Sequence, residues 1–279
     1  MRLCQNQDLS MRDLSAQIQA DPVLAGRIIK IANSVRQNRM RAIASVSTDV
    51  LLLVGVGAVR QLALGISLVS AYQNGACTRF DYLRFWSRSV AMACAAQALA
   101  ACVRVAPAAE MFTCGLLADI GRLALASARP QAYACLLEEY ENAPADALTH
   151  AETRLFGFSH LSLAAAMIGD WDIPRRFGDA VLFHESPQGS GFAEDTRQQR
   201  LVRVLQIAAR LADICVADAA EREVLIAPLF ELCAAAGIGP QQVAAVAGQT
   251  SVDWAEWGAV LQVQTRPLRP LQGEPGQAP

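Results

Sequence analysis

The chain has 279 residues, 53% hydrophobic and 18% charged, with a formal net charge of -2. That length supports one large domain or two small ones with a real core. The near-neutral balance excludes a global pull toward nucleic acid or an anionic membrane. Lys30 is the only lysine, so the positive charge is almost all arginine, which reads first as genome composition. Alanine is abundant and β-branched alternation is rare, which favours helices. The eight cysteines form no Cys-x-x-Cys clip and sit mostly in apolar helical stretches. They read as buried free thiols of a reducing compartment. The first residues lack an apolar signal core, and the apolar runs 50–59 and 89–106 fall short of the ~20 strongly apolar residues of a membrane span. A cytoplasmic all-α protein is expected.

In chain order, Ser10 and Asp13 have the spacing of an N-terminal cap. Asp21-Pro22 is a second helix start, with Asp21 as cap and Pro22 as first helical residue. Leu24, Ile28 and Ile31 follow on one stripe, and Asn33-Ser34 stops that helix through local side-chain bonds to backbone. A loop with Arg36, Arg39 and Arg41 comes next, read as a solvated turn before a phosphate site. Gly55 and Gly57 split an apolar run, and Val59, Leu62, Ile66 and Val69 mark another helix. Residues 72–78, with Asn74-Gly75, read as a linker.

Phe85-Trp86 opens a long alanine-rich helix to Cys102, the aromatic pair anchoring it in the core. Pro107 starts a helix that runs through Leu116, Leu117 and Ala118 to Asp119, with Gly121 as its left-handed closing residue. A carboxylate at such a helix end needs a compensating partner. Two readings stand: Asp119 bonds to amides of the following turn, or it belongs to a metal site. Helices are expected over 123–128, from Pro130 with Tyr133, Leu136, Leu137 and Tyr140 inward, and over 146–156 closed by Gly157. Ser159-His160 starts the next, where the helix dipole disfavours an imidazolium. Pro174 starts a helix with Phe177, Val181 and His184 on one face. A histidine on such a stripe is more often a satisfied core residue than a ligand. A long helix over 196–217 and two shorter ones over 223–235 and 240–247 follow. Trp254 and Trp257 open a short apolar end, and the proline-rich stretch 265–279 is expected to be a disordered tail.

The order of these signals resembles the HDOD group, the HD-related output domains of bacterial signalling. Asp21-Pro22, Asn33-Ser34, Trp86-x-Arg88-Ser89, Leu116-Leu117-Ala118-Asp119-Ile120-Gly121, Glu152-x-x-x-x-Gly157-x-x-His160 and Trp171-x-x-Pro174 carry the likeness, over about residues 9–217. The resemblance implies a multi-helix bundle. Residues 1–76 would be an N-terminal helical subdomain, 77–218 an HD-like core, 219–264 C-terminal helices and 265–279 a tail. In the wider HD superfamily a His, a His-Asp pair and a last Asp hold a metal. Position by position, this chain offers Arg88, Ala118-Asp119 and Ala209, with Asp213 an ill-placed substitute one turn later. The family's His-His is His184-Glu185 here. The implied site is a vestigial pocket around Arg88, Ala118, Asp119, His160, His184, Glu185 and Ala209, with no metal, no cofactor and an Arg88–Asp119 ion pair. The implied function is a non-catalytic signalling module acting on an unidentified signalling protein, with its contact surface in the cleft between the two bundles. Two alternatives are a regulator that reads a nucleotide second messenger and a metal-dependent phosphohydrolase with atypical ligands. No membrane or nucleic-acid partner is implied, and a chain this apolar suits a homodimer.

Overall fold

A computed structural model describes Leu68, Val69 and residues 71–141, 143 and 145–271. The chain divides into two compact units, Met1–Tyr72 and Gln73–Pro279, and the elements below belong to the second. Asp21, Pro22, Asn33, Ser34, the arginines of 36–41 and the expected cleft between bundles lie outside the described residues.

The second unit is helical, with no strand among the described residues. Its axis is α1 (Tyr82–Val103), capped by Asp81, whose side chain accepts from the Arg84 amide, and ended by left-handed Arg104 at φ 52°. From Val90 to Ala96 this helix has no exposed surface at all. A helix apolar on every side must be surrounded, and α2 (Ala108–Leu117), α8 (Arg197–Val216) and α10 (Pro240–Leu261) cover it. Its alanines let neighbours approach to backbone contact. A Cβ added at Gly115 of α2 would lie 2.7 Å from the Met92 carbonyl oxygen and 2.9 Å from Ala93 Cα. Trp86 is buried in this core.

Between α2 and α8 run α3 (Ile120–Ala128), α4 (Pro130–Glu139), α5 (Ala145–Phe156), α6 (His160–Asp170) and α7 (Arg175–Phe183). Ser159 caps α6 and Thr196 caps α8 through side-chain acceptors. Gly157, at φ 84°, closes α5 as expected. A short 3-10 turn, Pro187–Ser190, precedes α8, and α9 (Ala219–Ala235) opens with an Asp218/Glu221 capping box. The run Ala108–Ala128 is long and apolar enough to cross a membrane, but 72% of it is buried inside the fold.

Three sequence expectations are corrected. The helix expected to end at Asp119 ends at Leu117, and α3 begins at Ile120, so Gly121 is helical and has no positive φ. A glycine is needed there for another reason. A Cβ would lie 2.0 Å from the His160 carbonyl oxygen, because α3 crosses the first turn of α6 at backbone distance. Second, α10 continues to Leu261, carrying Trp254 and Trp257. The Trp254 indole donates to the Ser87 carbonyl at 2.9 Å, and the Trp257 ring packs on Phe112 with centroids 4.6 Å apart. This docks the helix on α1 and α2, a tertiary gain that extends it past the point its local pattern supports. Third, the stretch after residue 264, expected as a disordered tail, meets the fold at Thr265 and Leu271, with Arg266, Pro267, Arg269 and Pro270 exposed between them. The Ser87 hydroxyl donates to the Gln264 carbonyl at 2.6 Å, and Leu271 is only 3% exposed. Gly258 leaves room for Thr265, whose Cγ2 would be 2.3 Å from a Cβ there.

The cysteines fit the buried-thiol reading at Cys77, Cys94, Cys114, Cys215 and Cys233. Cys102 is half-buried and Cys135 exposed, and all seven are free. Burial pushes the Cys114 and Cys215 thiols up to about 12, which leaves them inert at neutral pH.

Candidate functional site

Five helices bring charged side chains to one pocket of about 420 Å³. Arg88 comes from the second turn of α1, Asp119 from the α2–α3 junction, and Arg122 from the first turn of α3. His184 and Glu185 follow the end of α7, and Ala209 and Asp213 lie on α8. Asp119 sits at the N-cap position of α3 with no side-chain bond to that helix. The amide-capping reading is thereby corrected: its carboxylate points to Arg88 instead.

Arg88 is a clamp between two carboxylates. Its Nη1 donates to Asp119 Oδ2, and its Nε donates to Asp213 Oδ1 at 2.7 Å. Burial alone would lower the guanidinium's pKa, but Asp213 and Asp119 more than offset that and raise it. Burial likewise opposes ionisation of Asp119, yet the charges of Arg88 and Arg122 hold its carboxyl below the usual range. The structure thus brings together the Arg88–Asp119 pair expected from the sequence. Asp213, read as an ill-placed substitute ligand, lies outside the cluster of Asp119, His184 and Glu185 ligand atoms and is instead Arg88's second partner, because the long arginine reaches one turn past Ala209.

A second network runs from the core to the same pocket. The Tyr133 hydroxyl donates to Glu152 Oε1 at 3.0 Å. Glu152 Oε2 takes the His160 amide at 2.8 Å and lies 2.6 Å from His160 Nδ1. On the far side His160 Nε2 lies 3.4 Å from Glu185 Oε1, which also accepts from Arg122 Nη2 at 3.2 Å. This explains the Glu152…Gly157…His160 spacing. Gly157 reverses the chain so that the first residue of α6 presents both its amide and its ring to Glu152. Burial and Arg122 push the His160 imidazole down, but bonds to Glu152 and Glu185 carry it above its usual value. The dipole at the start of α6 disfavours an imidazolium, but two nearby carboxylates outweigh that partial charge. Glu185 stays well below its usual value: burial raises it, but His160 and Arg122 overcome that.

His184 is buried, its Nδ1 2.7 Å from the Val181 carbonyl oxygen. A carbonyl only accepts, so the ring proton is on Nδ1. Burial holds His184 below its usual value and therefore neutral, with Nε2 as a bare acceptor. That Nε2, Asp119 Oδ1 and Gln206 Oε1 are buried acceptors with no hydrogen-bond partner, and Arg122 Nε is a donor in the same condition.

Ligand atoms of Asp119, His184 and Glu185 lie within 4.8 Å of one another, the geometry of a small metal site. His160 turns to Glu152 and does not join them. The donor set fits a divalent ion poorly. One Asp119 oxygen is taken by Arg88, one Glu185 oxygen by Arg122, and two guanidiniums would face the ion from the same walls. At ~4 Å a like charge costs on the order of 4 kcal/mol at the effective dielectric near a protein surface.

Trp171 follows α6 and Pro174 precedes α7, so these two motif residues frame the turn that delivers His184 rather than touching the pocket. Sequence reading missed Arg122 and Glu152 as site members. Their signals were present: an arginine three residues past Asp119, and the glutamate that opens the histidine motif.

An all-helical domain with a carboxylate at a Leu-Leu-x-Asp-Ile-Gly junction defines the HD-like helical class. The family model of the HDOD domain matches residues 1–187, and the chain belongs to that family. The MmoQ response regulator of Methylococcus capsulatus str. Bath is 35% identical, with 88% of this chain and 92% of that one covered and a TM-score of 0.52. A putative phosphohydrolase of Shewanella amazonensis SB2B, 23% identical with coverage of 93% and 90%, shares the fold at a TM-score of 0.69. An HDOD domain protein of Geobacter sulfurreducens, 19% identical with coverage of 92% and 88%, does so at 0.67. A Treponema pallidum (strain Nichols) protein is 24% identical over 188 residues, which is 66% of this chain and 35% of that one. The chain thus spans about a third of that relative's length.

Proposed function

We propose that this chain is a non-catalytic output module of bacterial signal transduction that acts in the cytoplasm by contact with another signalling protein. Membership of the HDOD family and likeness to a response regulator support the signalling part. One observation carries the non-catalytic part: Arg88 stands at the position of the superfamily's first histidine ligand and binds Asp119 directly. A tethered monocation there neutralises the carboxylate that would otherwise hold a metal. It lacks the open coordination position that metal-assisted hydrolysis needs. The remaining histidines suit this reading, because His160 is held by Glu152 and His184 is uncharged.

The test is a hydrolysis assay on purified full-length chain with manganese, iron and zinc, using phosphomonoester and phosphodiester substrates. Turnover at the buffer rate, together with metal content well below one ion per chain, is the expected result. Metal-dependent turnover that disappears in Asp119→Asn would refute the reading. The interaction half is tested by affinity capture from the native host. A specific signalling protein retained by the wild-type chain supports it, and recovery of none refutes it.

A further inference from the structure

Proteins seldom leave buried acceptors without donors, because each costs ~1–3 kcal/mol. This pocket has three on its lining: Asp119 Oδ1, His184 Nε2 and Gln206 Oε1. Two of those residues are almost wholly enclosed, Asp119 at 4% and His184 at 1% exposure. The inner walls hold three carboxylates, Asp119, Glu185 and Asp213, against two guanidiniums, Arg88 and Arg122. With Arg210 3.6 Å from Asp213, these walls are close to charge balance, which suits a net-neutral ligand better than a divalent ion. A protonated amino group supplies three N–H donors, equal to the number of orphan acceptors.

Arg79, Arg84 and Arg210 also line the pocket, Arg79 paired with Glu141 at 2.8 Å. Arg84 and Arg210 hold their carboxylate partners only loosely, at 3.8 and 3.6 Å, with about half of each side chain exposed. Arg122, whose Nε also lacks a partner, adds a donor on the inner wall. The ligand therefore needs oxygens as well as an amino group. At about 420 Å³ the space suits a small metabolite.

We propose that the pocket binds a small zwitterion, its protonated amino group against Asp119, His184 and Gln206 and its carboxylate or phosphate end toward Arg84 and Arg210. The proposal rests on the metal-free reading above and gives the module an input: the ligand crosslinks α1, α3, α7 and α8, which bind it only in their assembled positions.

The experiment is a thermal-shift titration of the full chain with four probes: ethylamine, inorganic phosphate, phosphoethanolamine and an ω-amino acid series. One or more two-ended probes should raise the melting temperature, by about 5–10 °C at a hundredfold excess over Kd. Ethylamine should act more weakly and phosphate not at all. Gln206→Met and Arg210→Gln, which alter half-buried and exposed side chains, should keep the unliganded melting temperature. Each should weaken the two-ended probe about tenfold. Silence of every amine probe, or a phosphate response equal to that of phosphoethanolamine, overturns this proposal alone. Stoichiometric manganese binding lost in Asp119→Asn overturns it together with the metal-free reading.

Discussion

Replacing Arg88 by methionine is the most informative perturbation of the pocket. Methionine keeps much of the stem volume but removes the charge that faces two carboxylates. Asp119, with its side chain 5% exposed, then keeps Arg122 as the nearest cation but no hydrogen bond, because Oδ2 loses its only donor and Oδ1 already has none. Removing one partner of a buried pair typically costs ~3–5 kcal/mol. Asp213, at 27% side-chain exposure, is partly solvated and adds little. For a unit of this size that loss lowers the melting temperature by ~6–20 °C. Removing both charges, as in Arg88→Met/Asp119→Leu, should recover most of the loss, since a well-packed apolar pair is often no worse than a buried ion pair. All four tryptophans lie in the second unit, so urea unfolding followed by tryptophan fluorescence reports on it. A loss under ~1 kcal/mol for the single variant, or single-variant losses that simply add in the double variant, would refute the clamp.

Further predictions concern the frame around the clamp. Gly121→Ala should destabilise by ~1–3 kcal/mol because its methyl meets the His160 carbonyl, whereas Gly169→Ala, helical and open on all sides, should be neutral or stabilise by up to ~1 kcal/mol. Chemical denaturation of the two variants gives the opposite signs, and equal effects would contradict the close crossing of α3 and α6. The Glu152–His160 pair sets a pH window. The raised His160 value means that its contribution is complete below its usual 6.5 and is lost as pH climbs through the raised value. The lowered Glu152 value means that its contribution is complete above its usual 4.5 and is lost as pH falls through the lowered one. Glu152→Gln should flatten both limbs of a melting-temperature profile, and an unchanged profile would exclude the pair as its source. Truncation after residue 264 should cost ~1.5–3 kcal/mol through loss of buried Leu271, read by the same denaturation assay. A truncated chain as stable as the full one would restore the view that this stretch does not pack.

Much of the helical frame was legible in the sequence because its signals are local. Ser159 and Thr196 cap through amides three residues away, and Gly157 closes a helix by its own backbone freedom. The exceptions were elements whose limits depend on distant partners. No local pattern carries α10 through Trp254 to Leu261; burial of that indole against Ser87, 167 residues earlier, does so. Gly121 was recognised as necessary but for the wrong cause, since its constraint comes from a carbonyl on another helix.

By itself the sequence determined that the chain is helical and where most of the second unit's helices start, and its resemblance to the superfamily set Arg88, Ala118 and Ala209 against the ligand positions. Those properties depend on residue identity and on spacings of a few positions. Only the tertiary structure decided what the substituted residues do: that Arg88 spans to both Asp119 and Asp213, that His160 is held by Glu152, and that Arg122 joins the pocket. Charge compensation acts through space over a few ångströms, and the distances that set it exist only once α1, α3, α6 and α8 have packed.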